Sequence, residues 1–167
     1  MVNGVIYPIN SQYLIGCPCR SRRKEIDMPQ SMRPRAYIGV TEDEATIAVV
    51  EYCNLRGVPV AHVPNEGKRS PQMGQKLKRM GMQKGFPDLV VPLPRGNYHG
   101  LYIEMKVGNN KTTSEQKEWL TNLAKNGYAA TACWGVDEAI NTVNAYIRGG
   151  AIPLKLTKGG DHAGVQS

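Results

Sequence analysis

Asp88, Glu104 and Lys106 have the side-chain types and the spacing in this sequence that are best suited to catalysis. Alternate residues of a β-strand project from the same face, so Glu104 and Lys106 would share one face while Ile103 and Met105 point into the core. Asp88 opens the preceding strand, which a hairpin would place alongside. The sequence therefore predicts two carboxylates and one ammonium group at a single place on a sheet.

Such a group of side chains could bind a divalent cation and hydrolyse a phosphate ester. Mg²⁺ prefers oxygen ligands and retains several waters, so Asp88 and Glu104 would suffice to hold it, with the backbone carbonyl of Met105 as a further ligand. The cation would acidify a bound water, and Lys106 would orient that water or help to deprotonate it. The alternative is an exposed Glu–Lys ion pair, which contributes only about 0–1 kcal/mol. The segment Gly85–Asp88 upstream favours the catalytic interpretation.

Gln116 is the next candidate, because it shares the inward face of a predicted helix. Trp119, Leu120 and Leu123 lie three, four and seven residues after it, at the spacing of an apolar stripe. From there Gln116 could reach the site between the strands. It could equally close a capping box with Thr113 at the start of its helix.

A third carboxylate could come from the first helix. At 100° per residue, Glu44 and Glu51 fall on the same side as Ile47, whereas Glu42 points away. An acidic residue on a core-facing stripe needs a partner, and a metal would serve. We therefore predict Glu44 as the additional catalytic and metal-binding residue; the alternative is simple helix capping with Thr41.

The elements that would position these residues follow from turn signals and periodicity. They indicate an α/β domain with a mixed sheet flanked by helices. The predicted order is a helix over 41–56, a strand over 58–63, a helix over 71–80, strands over 88–92 and 100–106, a helix over 114–126, a strand over 128–134 and a helix over 136–147.

The ends of the chain are predicted to lie outside this domain. Residues 1–40 contain prolines and a basic cluster without sustained periodicity, and we expect a partly disordered extension, either a solvated arm or one that touches phosphate. Residues 149–167 are expected to be a flexible tail. There is no apolar run long enough to span a membrane and no secretory signal, so we expect a cytoplasmic protein whose four cysteines are reduced.

The charge balance favours an acidic partner. The formal net charge is +7 and the pI is about 9.3, which suits contacts with the phosphates of DNA. The candidates for these contacts lie in and beside the second helix, with plain surface solvation as the alternative for each. They are Lys68, Arg69, Lys76, Lys78 and Arg79.

Four segments, in this order, resemble the VRR-NUC group of virus-type replication-repair nucleases, a branch of the PD-(D/E)XK superfamily. They are Gly85–Leu89, Tyr102–Lys106, Ser114–Leu120 and Gly127–Tyr128. The upstream segment 62–70 also resembles stand-alone phage members of the group. The resemblance implies a restriction-endonuclease-like core, dependence on Mg²⁺ or Mn²⁺, and hydrolysis of phosphodiester bonds in DNA.

The resemblance also implies roles for individual residues. Asp88 and Glu104 match the metal ligands of the family, Lys106 its catalytic lysine and Gln116 its helix glutamine. Family members often have a glutamate followed by Glu-Gln in the first helix, where this chain has alanine and threonine after Glu44. The role of Glu44 therefore remains an inference from the helix pattern.

The small stand-alone members are similar to Holliday-junction resolvases and can act as homodimers, which implies a branched DNA substrate and a homodimeric form. Because one fold core serves many cleavage specificities, two alternatives stay open. The first is a general or nicking endonuclease without junction preference. The second is a basic DNA-binding module without catalytic activity.

Overall fold

The computed structural model describes residues 39–65 and 70–159. Within these ranges the chain forms an α/β fold, as the sequence predicts. The elements are α1 (Glu42–Leu55), β1 (Ala61–His62), α2 (Pro71–Arg79), β2 (Leu89–Val91), β3 (Leu101–Lys106), α3 (Ser114–Lys125), β4 (Ala129–Trp134) and α4 (Val136–Ile147).

The four strands form one mixed sheet in the order β1-β2-β3-β4. The pairs β1–β2 and β2–β3 are antiparallel, whereas β3 and β4 are parallel. Parallel neighbours require a crossover connection, and α3 provides it. The predicted hairpin between β2 and β3 is present, with Leu89 opposite Ile103 and Val91 opposite Leu101.

The centre of the sheet is the core of the domain. Leu89, Leu101, Ile103 and Met105 are all completely buried, so Ile103 and Met105 belong to the core as predicted. Helices α1 and α4 contact each other and the sheet. Helix α3 packs on β3 and β4, where Leu120 joins a second apolar cluster.

The buried face of α1 differs from the predicted one. The helix buries Ala45, Val49 and Tyr52, and the hydroxyl of Tyr52 donates a hydrogen bond to Asn144 Oδ1 of α4 at 2.7 Å. Ile47, which the sequence placed inward, is 57% exposed. Apolar residues occur on more than one side of α1, so the contact with α4, and not the local pattern, decides which side is buried.

Part of the predicted flexible tail packs on the domain. Within residues 149–159, Ile152 and Leu154 are buried, and the backbone carbonyl of Lys155 accepts a hydrogen bond from the amide of Ala132 in β4 at 2.9 Å. Two apolar side chains without helical or strand periodicity gave no signal for this packing. Residues 160–167, and residues 1–38 of the predicted extension, lie outside the described part of the chain. No helix within the described ranges is long and apolar enough to cross a membrane.

Candidate active site

The segment before β2 approaches the start of α3 so closely that position 85 must be glycine. Gly85 has a φ of 77°, and a Cβ atom added there would lie 2.7 Å from Glu115 Cβ and 2.8 Å from the backbone nitrogen of Gln116. A side chain does not fit in that space, and glycine is the residue that adopts this backbone conformation without penalty. The contact brings the residues that follow Gly85 next to the first turn of α3.

Phe86 and its neighbours then fix the position of Asp88. The ring of Phe86 packs edge-on against Trp119 of α3, with 5.0 Å between ring centroids. Asn65 Nδ2 donates a hydrogen bond to the carbonyl of Phe86 at 2.7 Å, and the amide of Val63 donates to the carbonyl of Asp88 at 2.8 Å. The backbone of Asp88 is therefore held by the loop after β1 and, through Phe86, by α3.

The register of the hairpin brings Asp88 to β3. Because Leu89 lies opposite Ile103 in an antiparallel pair, Asp88 lies beside Glu104. Asp88 Oδ2 accepts a hydrogen bond from the backbone amide of Met105 at 2.8 Å. The expected neighbourhood of the two acidic residues therefore exists in the structure.

Glu104 and Lys106 form a buried ion pair, not an exposed one. They are 1% and 4% exposed. Lys106 Nζ donates to Glu104 Oε1 at 2.8 Å and to the carbonyl oxygen of Met105 at 2.9 Å. A second carboxylate oxygen, Glu42 Oε2, lies 3.5 Å from the same nitrogen.

The charges around Lys106 determine its protonation. Burial acts to lower the pKa of its ammonium group, but the hydrogen bond to Glu104 and the negative charges of Glu104, Glu42 and Asp88 together raise that pKa above its ordinary value. In this arrangement Lys106 is a cationic hydrogen-bond donor.

Gln116 fulfils both of the roles that the sequence left open. Its Oε1 accepts a hydrogen bond from the amide of Thr113 at 2.8 Å, and its own amide donates to the hydroxyl of Thr113, so the capping box of α3 is closed. Its Nε2 donates to Glu104 Oε1, the oxygen that also accepts from Lys106. Gln116 therefore joins the N-terminus of α3 to the buried carboxylate.

Glu44 does not lie at this place, which corrects the prediction for the first helix. It is exposed and caps α1: the backbone amide and the hydroxyl of Thr41 both donate to Glu44 Oε2, at 2.8 and 2.9 Å. These bonds, the backbone bond first, lower the pKa of Glu44. Glu51 is exposed as well.

Glu42 is the acidic residue of α1 that reaches the site. It precedes the buried Ala45 and Val49 by three and seven residues and therefore shares their face. Its Oε1 accepts a hydrogen bond from Asn110 Nδ2 at 2.9 Å, and its Oε2 faces Lys106. Glu42 was not predicted as a site residue because the sequence pattern indicated the side of Ile47 as the buried face of α1.

A small pocket adjoins these side chains. It has a volume of about 80 Å³ and lies between the start of α1 and the end of β1. Asp88 and Glu42 line it together with His62 and Asn65. His62 was not among the predicted site residues, although it begins the segment 62–70 that resembles stand-alone phage members.

The donors at this place suit a hard divalent cation. Within residues 39–65 and 70–159, no group of three or more His, Cys, Asp and Glu side chains forms a metal centre by itself. The bonds described above nevertheless hold the Asp88 carboxylate at the amide of Met105, and hold the Glu104 carboxylate and the Met105 carbonyl at the ammonium group of Lys106. Two carboxylates and a carbonyl form the kind of incomplete oxygen set that Mg²⁺ occupies while it retains waters.

The basic candidates lie elsewhere on the surface. Lys76, Lys78 and Arg79 are exposed on α2, a helix capped by Ser70 that has no buried residue. The other two predicted phosphate contacts, Lys68 and Arg69, lie outside the described residues. The three described cations are therefore accessible to a large polyanion.

A mixed sheet that presents Asp88, Glu104 and Lys106 beside two helices is the arrangement of a PD-(D/E)XK nuclease. The model of the VRR-NUC domain matches residues 40–137. A solved structure of a VRR_NUC domain protein is 38% identical in sequence, with a TM-score of 0.58; the match covers 67% of this chain and 92% of that chain. Among curated proteins, none matches the chain.

The chain belongs to the VRR-NUC domain family. It is thus a nuclease of the PD-(D/E)XK type, and DNA is its substrate class.

Proposed function

We propose that this nuclease is a Mg²⁺-dependent endodeoxyribonuclease that cuts branched DNA. The observation that supports the catalytic part is the hydrogen bond from the amide of Met105 to Asp88 Oδ2, since it holds one carboxylate beside Glu104 and beside the Met105 carbonyl. Asp88, Glu104 and that carbonyl would hold the cation, and Mn²⁺ would substitute for Mg²⁺. When bound, the cation would offset the charge on the phosphate and acidify water.

The remaining residues at the site have supporting roles in this proposal. Lys106, as a cationic donor, orients the attacking water and stabilises charge on the phosphate oxygens. Gln116 fixes the carboxylate of Glu104 through its Nε2. The negative charge of Glu42 lies beside the ammonium group of Lys106 and helps to keep it protonated. Glu44 has no part in it, because it is engaged in the helix cap.

The choice of DNA structure rests on two kinds of support. The net charge of +7, with Lys76, Lys78 and Arg79 exposed on α2, suits contact with several phosphates along a duplex. The resemblance to stand-alone phage members, which are similar to Holliday-junction resolvases, favours a branched substrate. It also favours a homodimer and a role in phage recombination or repair, and we include both in the proposal.

The test is a panel of end-labelled four-way junctions, flaps, linear duplexes and single strands, incubated with and without Mg²⁺ and resolved on denaturing gels. We expect Mg²⁺-dependent internal cuts, with junctions cut fastest. Asp88→Asn and Lys106→Ala should abolish cutting while binding in Ca²⁺ survives, and the exposed Glu118→Gln serves as a control that should cut normally.

Each alternative gives a different result in the same panel. Equal rates on junction and duplex would identify a general or nicking endonuclease. Binding without any cut, with and without Mg²⁺ or Mn²⁺, would identify a non-catalytic DNA-binding module. Normal cutting by both site variants would show that the catalysis lies elsewhere.

A further inference from the structure

Helix α2 stands apart from the core of the domain. None of its residues is buried, and it forms no extensive contact with another described helix or strand. Local signals define its two ends. The hydroxyl of Ser70 caps the amide of Met73 and Pro71 begins the helix. Gly81, with a φ of 95°, follows its last turn. The sequence therefore builds this helix without help from the core, and its surface is accessible to a partner.

Both ends of the segment that carries α2 are fastened beside the proposed site. Before the helix, Asn65 Nδ2 donates a hydrogen bond to the carbonyl of Phe86. After the helix, Lys84 Nζ donates to Glu115 Oε1 at the start of α3, at 2.6 Å. Eight residues after the C-cap of α2 the chain reaches Asp88, a path of at most about 28 Å. This is less than one helical turn of duplex DNA, about 34 Å, so DNA bound at the site can also reach α2.

Three apolar side chains form a row along α2. Met73, Leu77 and Met80 are spaced four and three residues apart, which places them on one face of the helix. Met73 is 48% exposed and Met80 is 71% exposed. Methionine has a flexible, polarisable side chain that adapts to irregular surfaces and packs well against aromatic rings. This row, here called the methionine stripe, is thus an apolar surface that the described part of the domain leaves largely open.

The segment around the methionine stripe carries only positive charges. Residues 70–84 contain no acidic residue and four cations, Lys76, Lys78, Arg79 and Lys84. Lys84 is paired with Glu115, whereas the other three are exposed and form no ion pair within the described residues. This charge complements the phosphates of DNA, the substrate class of the nuclease. A second copy of the same segment would instead bring like charges together.

An apolar row beside cations fits DNA whose bases are open. In a continuous duplex the faces of the bases are stacked on one another, and sugars and charged phosphates form the outer surface. Where strands separate, a base loses a stacking neighbour and exposes its apolar face. Methionine and leucine side chains can cover such a face, as apolar side chains do when they insert between base steps. The methionine stripe thus has a use on branched DNA that it lacks on a fully paired duplex.

We propose that α2 selects branched DNA: the methionine stripe covers bases exposed where the strands separate, while the neighbouring cations hold the adjacent phosphates. The inference rests on the proposed function as an endonuclease for branched DNA, and it assigns the choice of substrate to one helix. Lys76, Lys78 and Arg79 contribute affinity for any DNA, and the stripe contributes the preference for the branch. The two contributions can therefore be separated by mutation.

The test is binding of the full-length protein to fluorescein-labelled DNA in EDTA, which prevents metal-dependent cleavage, measured by fluorescence anisotropy at several salt concentrations. The ligands are a four-way junction, a duplex with unpaired nucleotides at its centre and a fully paired duplex of equal length. Met73→Gln combined with Met80→Gln should lose at least about fivefold in affinity for the first two, the lower end of what one covered base contributes, and keep its affinity for the third. Lys76→Gln combined with Lys78→Gln should weaken binding to all three and reduce the salt dependence.

Helix α1 offers a matched control for the methionine stripe. Ile47 and Leu55 are exposed to a similar degree, and Ile47→Gln combined with Leu55→Gln should leave binding to all three DNAs unchanged. Met73 and Met80 are exposed, so their replacement should not affect folding. A second measurement uses the parent protein and a junction with the fluorescent base analogue aminopurine at the branch. Its fluorescence should change on binding, and this change should be smaller with the double methionine variant.

Three results would overturn the inference. In the first, the parent shows no preference for branched DNA, or the double methionine variant keeps that preference. In the second, the aminopurine fluorescence stays constant up to saturation with the parent, or the α1 variant loses the preference to the same extent. In the third, sedimentation shows that the methionine variant converts a dimer into monomers, which would make the stripe a contact between two copies of the chain. No measurement involves cleavage, so a protein that prefers branches through α2 but cuts no DNA would contradict only the proposed endonuclease activity.

Discussion

Gln116 connects the cap of α3 directly to Glu104. One end of its amide accepts from the backbone of Thr113, and the other end donates to the buried carboxylate. The orientation of the carboxylate thus depends on the first turn of a helix, and the two functions of Gln116 can be separated by mutation.

Replacement of Gln116 tests that dependence. Gln116→Glu keeps an acceptor for the Thr113 amide, but it removes the donor to Glu104 and places a second carboxylate against it. We expect Mg²⁺-dependent cleavage to fall on the order of 10- to 100-fold, as for other partners that orient metal ligands. Thr113→Ala is the control: it should lower the free energy of unfolding by about 1 kcal/mol and leave cleavage nearly unchanged. Equal activity of Gln116→Glu and the parent would show that the contact is dispensable.

The two acidic residues near the start of α1 should behave differently. Glu44→Gln keeps the acceptor of the helix cap and lies away from the site, so its cleavage rate should equal that of the parent. Glu42→Gln removes the carboxylate that faces Lys106, and its rate should fall at least about tenfold, in line with changes to residues around metal sites. Single-turnover cleavage of one junction substrate measures both. A slower rate for Glu44→Gln than for Glu42→Gln would instead identify Glu44 as the residue at the site.

Gly85→Ala should be more harmful than an alanine at another glycine with positive φ. A Cβ atom at position 85 meets backbone of the first turn of α3, whereas at Gly57 (φ 63°) a Cβ atom would meet nothing within 4 Å. Gly57→Ala should therefore lower the free energy of unfolding only by the cost of a left-handed backbone for alanine, about 1–2 kcal/mol. Gly85→Ala should lower the free energy of unfolding by the same amount and by the additional cost of moving α3. Overpacking of this kind typically costs about 1–3 kcal/mol. Urea unfolding of the two variants compares them, and equal losses would argue against the close approach.

Two leucines of opposite exposure test the burial seen in the structure. Leu154 is 9% exposed and packs with Leu120 and Leu123, whereas Leu55 of α1 is 63% exposed. Leu154→Ala should lower the free energy of unfolding by about 2–3 kcal/mol, towards the lower end of the range for buried leucines. Leu55→Ala should change it by less than about 0.5 kcal/mol. A larger decrease in the free energy of unfolding for Leu55→Ala would mean that α1 buries the side that carries Leu55.

Stability should fall in alkaline solution because of Cys133. Burial, above all, raises the pKa of this thiol from 9.0 to about 12. Above pH 9.0 the thiol ionises in the unfolded chain but not in the folded one, so the free energy of unfolding decreases as the pH rises towards 12. Urea unfolding at several pH values between 8 and 10.5 should show a shallower decline for Cys133→Ala than for the parent. Identical slopes would mean that Cys133 is accessible in the folded protein.

The sequence was sufficient to predict how β2 and β3 bring the acidic residues together. Alternation along a strand places Glu104 and Lys106 on one face, and the hairpin that joins β2 to β3 brings Asp88 next to them. Both rules are local, so no knowledge of distant contacts is needed. The two predicted roles of Gln116 also follow from local spacing, and its contacts with Thr113 and with Glu104 are both present in the structure.

The prediction failed where distant parts of the chain decide the outcome. On α1 the choice between Glu42 and Glu44 depends on which side packs against α4, some ninety residues later in the chain, as the Tyr52–Asn144 bond shows (a separation of 92). The burial of Leu154 likewise depends on β4 and α3, and a segment without periodicity carries no local sign of it.

The contact between Lys155 and β4 has a practical consequence for the expression of shorter fragments. β4 is the last strand of the sheet, and its Ala132 amide would be left without a partner if the chain ended at residue 137, where the match to the family model stops. Strand edges with open amides pair with other molecules and aggregate. A fragment intended for crystals or NMR should therefore extend to residue 159.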